Sequence, residues 1–247
     1  QWRTTYFVFG QNLVDMMRKA EAEQRWDLLG VGQVLKAWGW QAATDLHGEI
    51  ILKGAFDPTT TTFDYDTQEA AYQEVQRLLA EAIKNLQRTD GAVDQGFLAR
   101  GDRLFNGDRS RWLKLAYGML AMNLNHYSNK TSLYRPDSVI ALVDRSFANA
   151  NEDAVLAFGN TNSDDFNFIG QRRANFTGFR QTRFVLGLLD GTAFGGVVDP
   201  RLSRMLAPSP DGQYRGYDPN VIGFGGLNAQ QQPLTFHGYA PSVLTAQ

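Results

Sequence analysis

Residues 26–42 read WDLLGVGQVLKAWGWQA. Apolar side chains recur at Trp26, Leu29, Val34, Leu35, Trp38 and Ala42, close to the helical period. Gly30, Gly32 and Gly39 stand between them. Lacking side chains, they let a neighbouring helix come close. The stretch therefore predicts a long helix closely approached by a neighbouring one.

Comparable stripes flank it. Tyr6, Phe7, Phe9, Leu13 and Met16 mark a helix from Thr4 to about Lys19. Ala71, Val75, Leu78, Ala82 and Leu86 mark another, and Asp66 with Glu69 resembles a capping box with Asp in place of Ser or Thr. Trp112, Leu115, Ala116, Met119, Leu120 and Asn123 form the next, with Asp108 as its N-cap. Pro136-Asp137 reads as the first turn of a helix running through Val139, Leu142, Val143 and Phe147. Trp38, Leu78, Trp112 and Leu120 are expected between helices. Asp45, Gly48 and Glu49 are expected where the long helix stops, with Gly48 at positive φ. The predicted fold is mainly α, a tetratricopeptide-like scaffold of helical pairs forming an α-α superhelix, with long irregular loops and little β. No clean repeat of about 34 residues is present. Lys53–Tyr65 and Thr89–Asn106 interrupt the pattern as insertions.

Composition divides the chain. All six Lys lie before residue 131, and no Glu follows Glu152. The last 97 residues hold six of eight Pro and 13 of 24 Gly. Lys and Glu suit solvated helix faces, whereas Gly and Pro punctuate turns. Residues 1–150 are thus expected to form the helical scaffold, and 151–247 a loop-rich extension packed on it, the two making one incomplete domain. Gln1 and Gln247 are expected to be cut ends of a longer chain, so that the isolated piece exposes apolar helix faces. The formal charge of 24 − 26 = −2 argues against a generally basic nucleic-acid binder. Cysteine is absent, which removes disulfides, thiolate metal sites and a cysteine nucleophile. No apolar run reaches the ~18 residues of a membrane span.

Catalytic signatures fail. There is no G-x-S-x-G, H-E-x-x-H or Walker A pattern. Gly30-x-Gly32 and Gly223-x-Gly225 lack the third glycine of a dinucleotide fingerprint. His47 and His126 fall at helix C-termini, where imidazole meets the last carbonyls. Glu152-Asp153 and Asp164-Asp165 are adjacent pairs, so their side chains diverge, and loop solvation accounts for them. Asn160, Asn162, Asp164 and Asp165 could offer oxygens to Ca²⁺, but without the EF-hand spacing and glycine they read as a turn cluster. No cofactor is expected.

Aromatic residues are the informative feature of the loop-rich half. Phe166, Phe168, Phe176, Phe179, Tyr214, Tyr217, Phe224, Phe236 and Tyr239 are interleaved with Asn, Arg, Gln and Asp. Such rings stack on the apolar face of a sugar, and the polar neighbours hydrogen-bond its hydroxyls; equally, the rings can pin loops to a core. Phe166 and Phe168 share a side of an extended segment around Asn167. Tyr214 and Tyr217 flank a turn, and Arg180 can donate paired hydrogen bonds. The candidate ligand-binding set is Tyr214, Tyr217, Phe166, Asn167, Phe168 and Arg180, with Trp2 and Arg3 in addition.

Four segments in order resemble the SusD/RagB family. Residues 35–50, LKAWGWQAATDLHGEI, resemble its aromatic helix ending in a D-x-x-G-[DE] turn. Tyr65-Asp66 before the Tyr72–Leu86 helix is similar to a second family element. Gly101-Asp102-x-x-Phe105-x-Gly107-Asp108-x-x-Arg111-Trp112 is similar to a third, and Asp199-Pro200-Arg201-Leu202 to a fourth. The resemblance spans about Trp2 to Tyr217, roughly half of a family chain. It implies a non-enzymatic lipoprotein of the outer membrane of Bacteroidota, anchored by a lipid outside these residues. It further implies a surface subunit that captures oligosaccharide or another nutrient and caps a TonB-dependent β-barrel (SusC-like) transporter. Two other readings remain open on the residues alone: an α-helical glycoside hydrolase or lyase, and a peptide-binding tetratricopeptide scaffold.

Overall fold

The computed structural model describes residues 2–158, 182–206, 208 and 212–216. The chain divides into two compact units, Gln1–Leu156 and Ala157–Gln247.

The first unit is a stack of sequence-adjacent helices. A π-helical turn, Thr4–Gly10, continues into α1 (Gln11–Ala22). It is followed by α2 (Trp26–His47), α3 (Gln68–Gln87), the short α4 (Gln95–Ala99), α5 (Arg109–Asn125) and α6 (Pro136–Val143). α2 packs on α1, α3 and α5; α3 packs on α5, and α5 on α6. This is a tetratricopeptide-like stack of helical pairs; the described residues contain no strand, and Ile50 and Asp66 form an isolated antiparallel bridge.

α2 is the hub because it is apolar on nearly every side, as a helix enclosed by neighbours must be. Val31, Val34, Ala37, Trp40 and Ala43 are all buried. Its glycines serve three contacts. A Cβ on Gly30 would stand 2.7 Å from Leu86 Cγ and 3.2 Å from the Ala82 carbonyl of α3. One on Gly32 would meet Met17 of α1, and one on Gly39 would meet Phe9. Overpacking a core costs about 1–3 kcal/mol, against about 1 kcal/mol gained by removing a mid-helix glycine. Gly30→Ala is therefore expected to lower the melting temperature, because the Ala82 carbonyl is backbone and cannot yield. Gly32→Ala faces only flexible methionine and should cost less. A Gly30→Ala protein that melts higher than wild type would contradict this packing.

Helix ends follow local chemistry. Gly48 closes α2 at φ +76°. Asp108 caps α5 by accepting from the Ser110 and Arg111 amides at 2.9 and 3.3 Å, and Pro136 starts α6. Two expectations are corrected. The cap of α3 is Thr67, which accepts from Ala70 N at 3.2 Å. Asp66 is instead taken by the Leu52 and Lys53 amides at 3.1 and 3.0 Å, where it closes the 51–65 loop. Trp38 is 52% exposed, touching Phe9 edge-on, while Trp40 is 3% exposed and in the core. The inward face of α2 is set by Ala37, Trp40 and Ala43–Thr44, which points Trp38 away. Trp112 and Leu78 are buried as expected, and Leu120 is partly buried against the same core.

Two acidic side chains hold the 88–108 insertion. Asp27, 1% exposed, accepts from Leu28 N and Asp94 N, both at 2.9 Å. Asp102 accepts from Leu104 N, Phe105 N and Gly107 N, and from Trp112 Nε1 at 2.7 Å. Phe7, Val8, Leu46, Met122, Ile140 and Val143 are exposed on the helices of this unit.

In the second unit, α7 (Arg183–Leu189) and α8 (Leu202–Met205) bury Leu186, Leu189 and Leu206 together. Gly191 turns the chain between them at φ +88°, where a Cβ would lie 2.8 Å from the Gly196 carbonyl carbon. The Asp199-Pro200-Arg201 element is a local clamp. Arg201 Nη2 lies 2.6 Å from Asp199 Oδ2, and this pairing lowers the Asp199 pKa to about 2.

Candidate functional site

The π-helical turn, the end of α2 and the 51–65 loop bring aromatic rings together. In the wider π turn the Gln11 amide bonds to the Tyr6 carbonyl, and such turns recur at functional sites. Trp2 and Tyr6 have ring centroids 4.9 Å apart. Trp2 stacks on Tyr65 at 6.0 Å and meets His47 edge-on at 5.2 Å. Tyr6 continues the run to Trp40 at 5.5 Å and Phe56 at 6.4 Å. The Tyr6 hydroxyl donates to the Ile51 carbonyl at 2.7 Å, and burial raises its pKa to about 12, so it is a fixed donor. Trp2 is partly buried, and Tyr65 is 60% exposed at the outer end of the run.

The inner end borders a cavity of about 700 Å³ between α2, the 51–65 loop and α3. Trp40, Leu52 and Phe56 supply its apolar wall, and Lys36, Asp57, Glu74 and Arg77 its polar one. The volume lies within the ordinary range for small-molecule sites. Arg77 grips both Glu74 oxygens at 2.7 Å. Asp57 accepts from the amide and hydroxyl of Thr59 at 2.8 and 2.6 Å, which lowers its pKa.

A second polar-aromatic cluster ties α2, α3 and α5. Asp45 accepts from Tyr72 Oη at 2.8 Å and Gln41 Nε2 at 2.8 and 2.9 Å, and lies 3.3 Å from His126 Nε2. Tyr72 stacks on His126 at 5.4 Å; burial, then the bond to Asp45, raises its pKa well above the ordinary phenol value. Buried Asn123 donates to Gln41 Oε1 at 2.5 Å and accepts from Gln76 at 2.9 Å. These bonds are internal and hold the helices in register.

Of the residues singled out from sequence, Trp2 lies in the aromatic run. Arg3 is exposed, 5.7 Å above the Phe7 ring. Tyr214 is partly buried against the Leu186–Leu189–Leu206 cluster. Tyr217, Phe166, Asn167, Phe168 and Arg180 lie outside the described residues, as do Asn160, Asn162, Asp164 and Asp165. His47 and His126 do sit at helix ends, yet each also joins an aromatic cluster, His47 edge-on to Trp2 and His126 stacked on Tyr72. Tyr6, Phe56, Tyr65 and Lys36 were not anticipated. Periodicity assigns Tyr6 to a helix stripe and carries no signal for rings that converge from separate segments.

Among the described residues no helix is long and apolar enough to cross a membrane. A model of the SusD-like family, described as starch-binding and associating with the outer membrane, matches residues 1–244. A SusD/RagB family protein from Bacteroides thetaiotaomicron aligns with a TM-score of 0.66 at 25% identity, over 84% of this chain and 42% of that one. A chitin-binding SusD homologue from Flavobacterium johnsoniae aligns with a TM-score of 0.66 at 19% identity, over 98% and 48%. A SusD homologue from Bacteroides uniformis aligns with a TM-score of 0.62 at 18% identity, over 96% and 46%. The chain thus spans about half the length of the solved structures it matches. No curated protein matches it.

Proposed function

Because the chain belongs to the SusD-like family, described as starch-binding and associating with the outer membrane, we propose that it captures glycan at the cell surface and passes it to a TonB-dependent β-barrel transporter. A lipid anchor outside these residues would hold it there. The observation that carries the reading is the aromatic run from exposed Tyr65 through Trp2 and Tyr6 to Phe56, which ends at a cavity large enough for a sugar ring. Flat rings take the C–H face of a sugar, and the fixed polar groups around them take hydroxyls. Several weak subsites along one chain add through effective concentration, which suits hand-over better than one tight site. Tyr214, Tyr217, Phe166, Asn167, Phe168 and Arg180 belong to the proposal as a second set of ligand contacts.

Binding without turnover is favoured by the state of the carboxylates. Glycoside hydrolysis needs one carboxylic acid held protonated near neutral pH opposite a second carboxylate. Asp57, with its pKa lowered by Thr59, stays ionised, and Glu74 is clasped by Arg77. Starch or chitin oligosaccharides incubated with the protein are expected to yield no new reducing ends.

Tyr65→Ala and Trp2→Ala test the surface. Each is expected to weaken binding of starch or chitin oligosaccharides at least about tenfold, about 1.4 kcal/mol. Tyr65→Ala should leave the melting temperature unchanged because its ring is exposed. Unchanged affinity in both variants would remove this surface as the glycan site.

A further inference from the structure

We propose that the cavity beside Phe56 takes an acidic sugar residue, its carboxylate on Lys36 Nζ and its ring against Phe56. This deepens the glycan-binding reading above and rests on it.

Lys36 lies one turn before buried Trp40 on α2, on the same face of the helix. Its Nζ stands 5.4 Å from the centre of the Phe56 ring. Among the described residues, no carboxylate lies within ion-pair distance of that nitrogen. The acids nearby are already engaged. Glu74 gives both oxygens to Arg77, Asp57 accepts from Thr59, and Asp66 faces Lys53 at 3.3 Å. Lys36 is partly buried and has no direct ion-pair partner; burial first of all lowers its pKa, and the longer-range pull of Glu74 is opposed by Arg77.

A partly buried cation with no direct ion-pair partner is stabilised when an anion joins it. A neutral sugar cannot supply that anion, whereas a uronic acid can. Inside a partly enclosed site the resulting contact is stronger than on an open surface. Phe56 adds the flat face that a free inorganic anion would not use.

The test is calorimetric titration of the full chain with an oligogalacturonate and a maltooligosaccharide of equal length. The wild-type protein is expected to prefer the acidic chain at least about tenfold. In Lys36→Met, which keeps the apolar stem, the preference should fall to about one, and in Lys36→Arg it should largely return. Lys36→Met should melt no lower than wild type, since it removes an unpaired charge. Equal affinities in wild type, or a preference that survives Lys36→Met, would overturn the inference while leaving glycan binding intact. Binding of neither chain would overturn both. Inorganic phosphate that competes as strongly as the acidic chain would also overturn it, because the ring contact would then contribute nothing.

Discussion

Trp112→Ala is expected to destabilise the protein by about 3–5 kcal/mol, the range for truncating a buried aromatic residue. The indole is 2% exposed, packs edge-on against Phe105 at 5.2 Å and donates Nε1–H to Asp102. Its removal opens a cavity where α5 meets the 88–108 insertion and deprives Asp102 of a donor. For a chain of this size the melting temperature should fall by roughly 10 °C. Trp38→Ala is the internal comparison. That ring is mostly in solvent, and its loss should cost less than about 1 kcal/mol. Urea denaturation of both variants decides the matter. Similar losses at the two positions would mean that the assignment of inner and outer tryptophans is wrong.

Asp102→Ala is expected to cost about 3–5 kcal/mol, although the residue is only partly buried. One carboxylate closes three backbone amides, those of Leu104, Phe105 and Gly107, and the Trp112 indole. Each donor left unsatisfied costs about 1–3 kcal/mol, discounted where water reaches it. Asp102→Asn should recover little. One oxygen can keep Leu104 and Phe105, but the new amide would point N–H at the Gly107 and Trp112 donors. Hydrogen exchange at Leu104, Phe105 and Gly107 should accelerate in both variants. An Asp102→Asn protein as stable as wild type would show that the second carboxylate oxygen contributes nothing.

The Gly101–Trp112 segment shows where a sequence signature gets its meaning. Its acid, aromatic, glycine, second acid and tryptophan are spaced to tie one knot. Asp102 gathers the amides, Phe105 meets Trp112, Gly107 turns at φ +81°, and Asp108 caps α5. These interactions span at most ten residues, and so they are legible in order and spacing. Asp66 shows the opposite. It has the chemistry of a cap and stands next to the helix, yet the Leu52 and Lys53 amides, 14 and 13 residues away, claim its carboxylate. Thr67 then takes the cap.

By itself the sequence determined that the fold is mainly helical, where α2 ends, which residue caps α5, where α6 starts, and which glycines admit neighbouring helices. Those outcomes depend on period, on φ and on hydrogen bonds within a turn or two, all of which are local. Only the tertiary structure decided that Trp40 rather than Trp38 enters the core. A helix apolar on almost every side has no single stripe to read, and its exposed line is whatever its neighbours leave uncovered. The same holds for the candidate site. Trp2, Tyr6, Lys36, Trp40, Phe56 and Tyr65 come from the π turn, the long helix and the loop after it, and they meet only because α2 returns the chain to its own start. Contacts made by such distant closure leave no spacing in the sequence, since any loop length that satisfies the packing would serve.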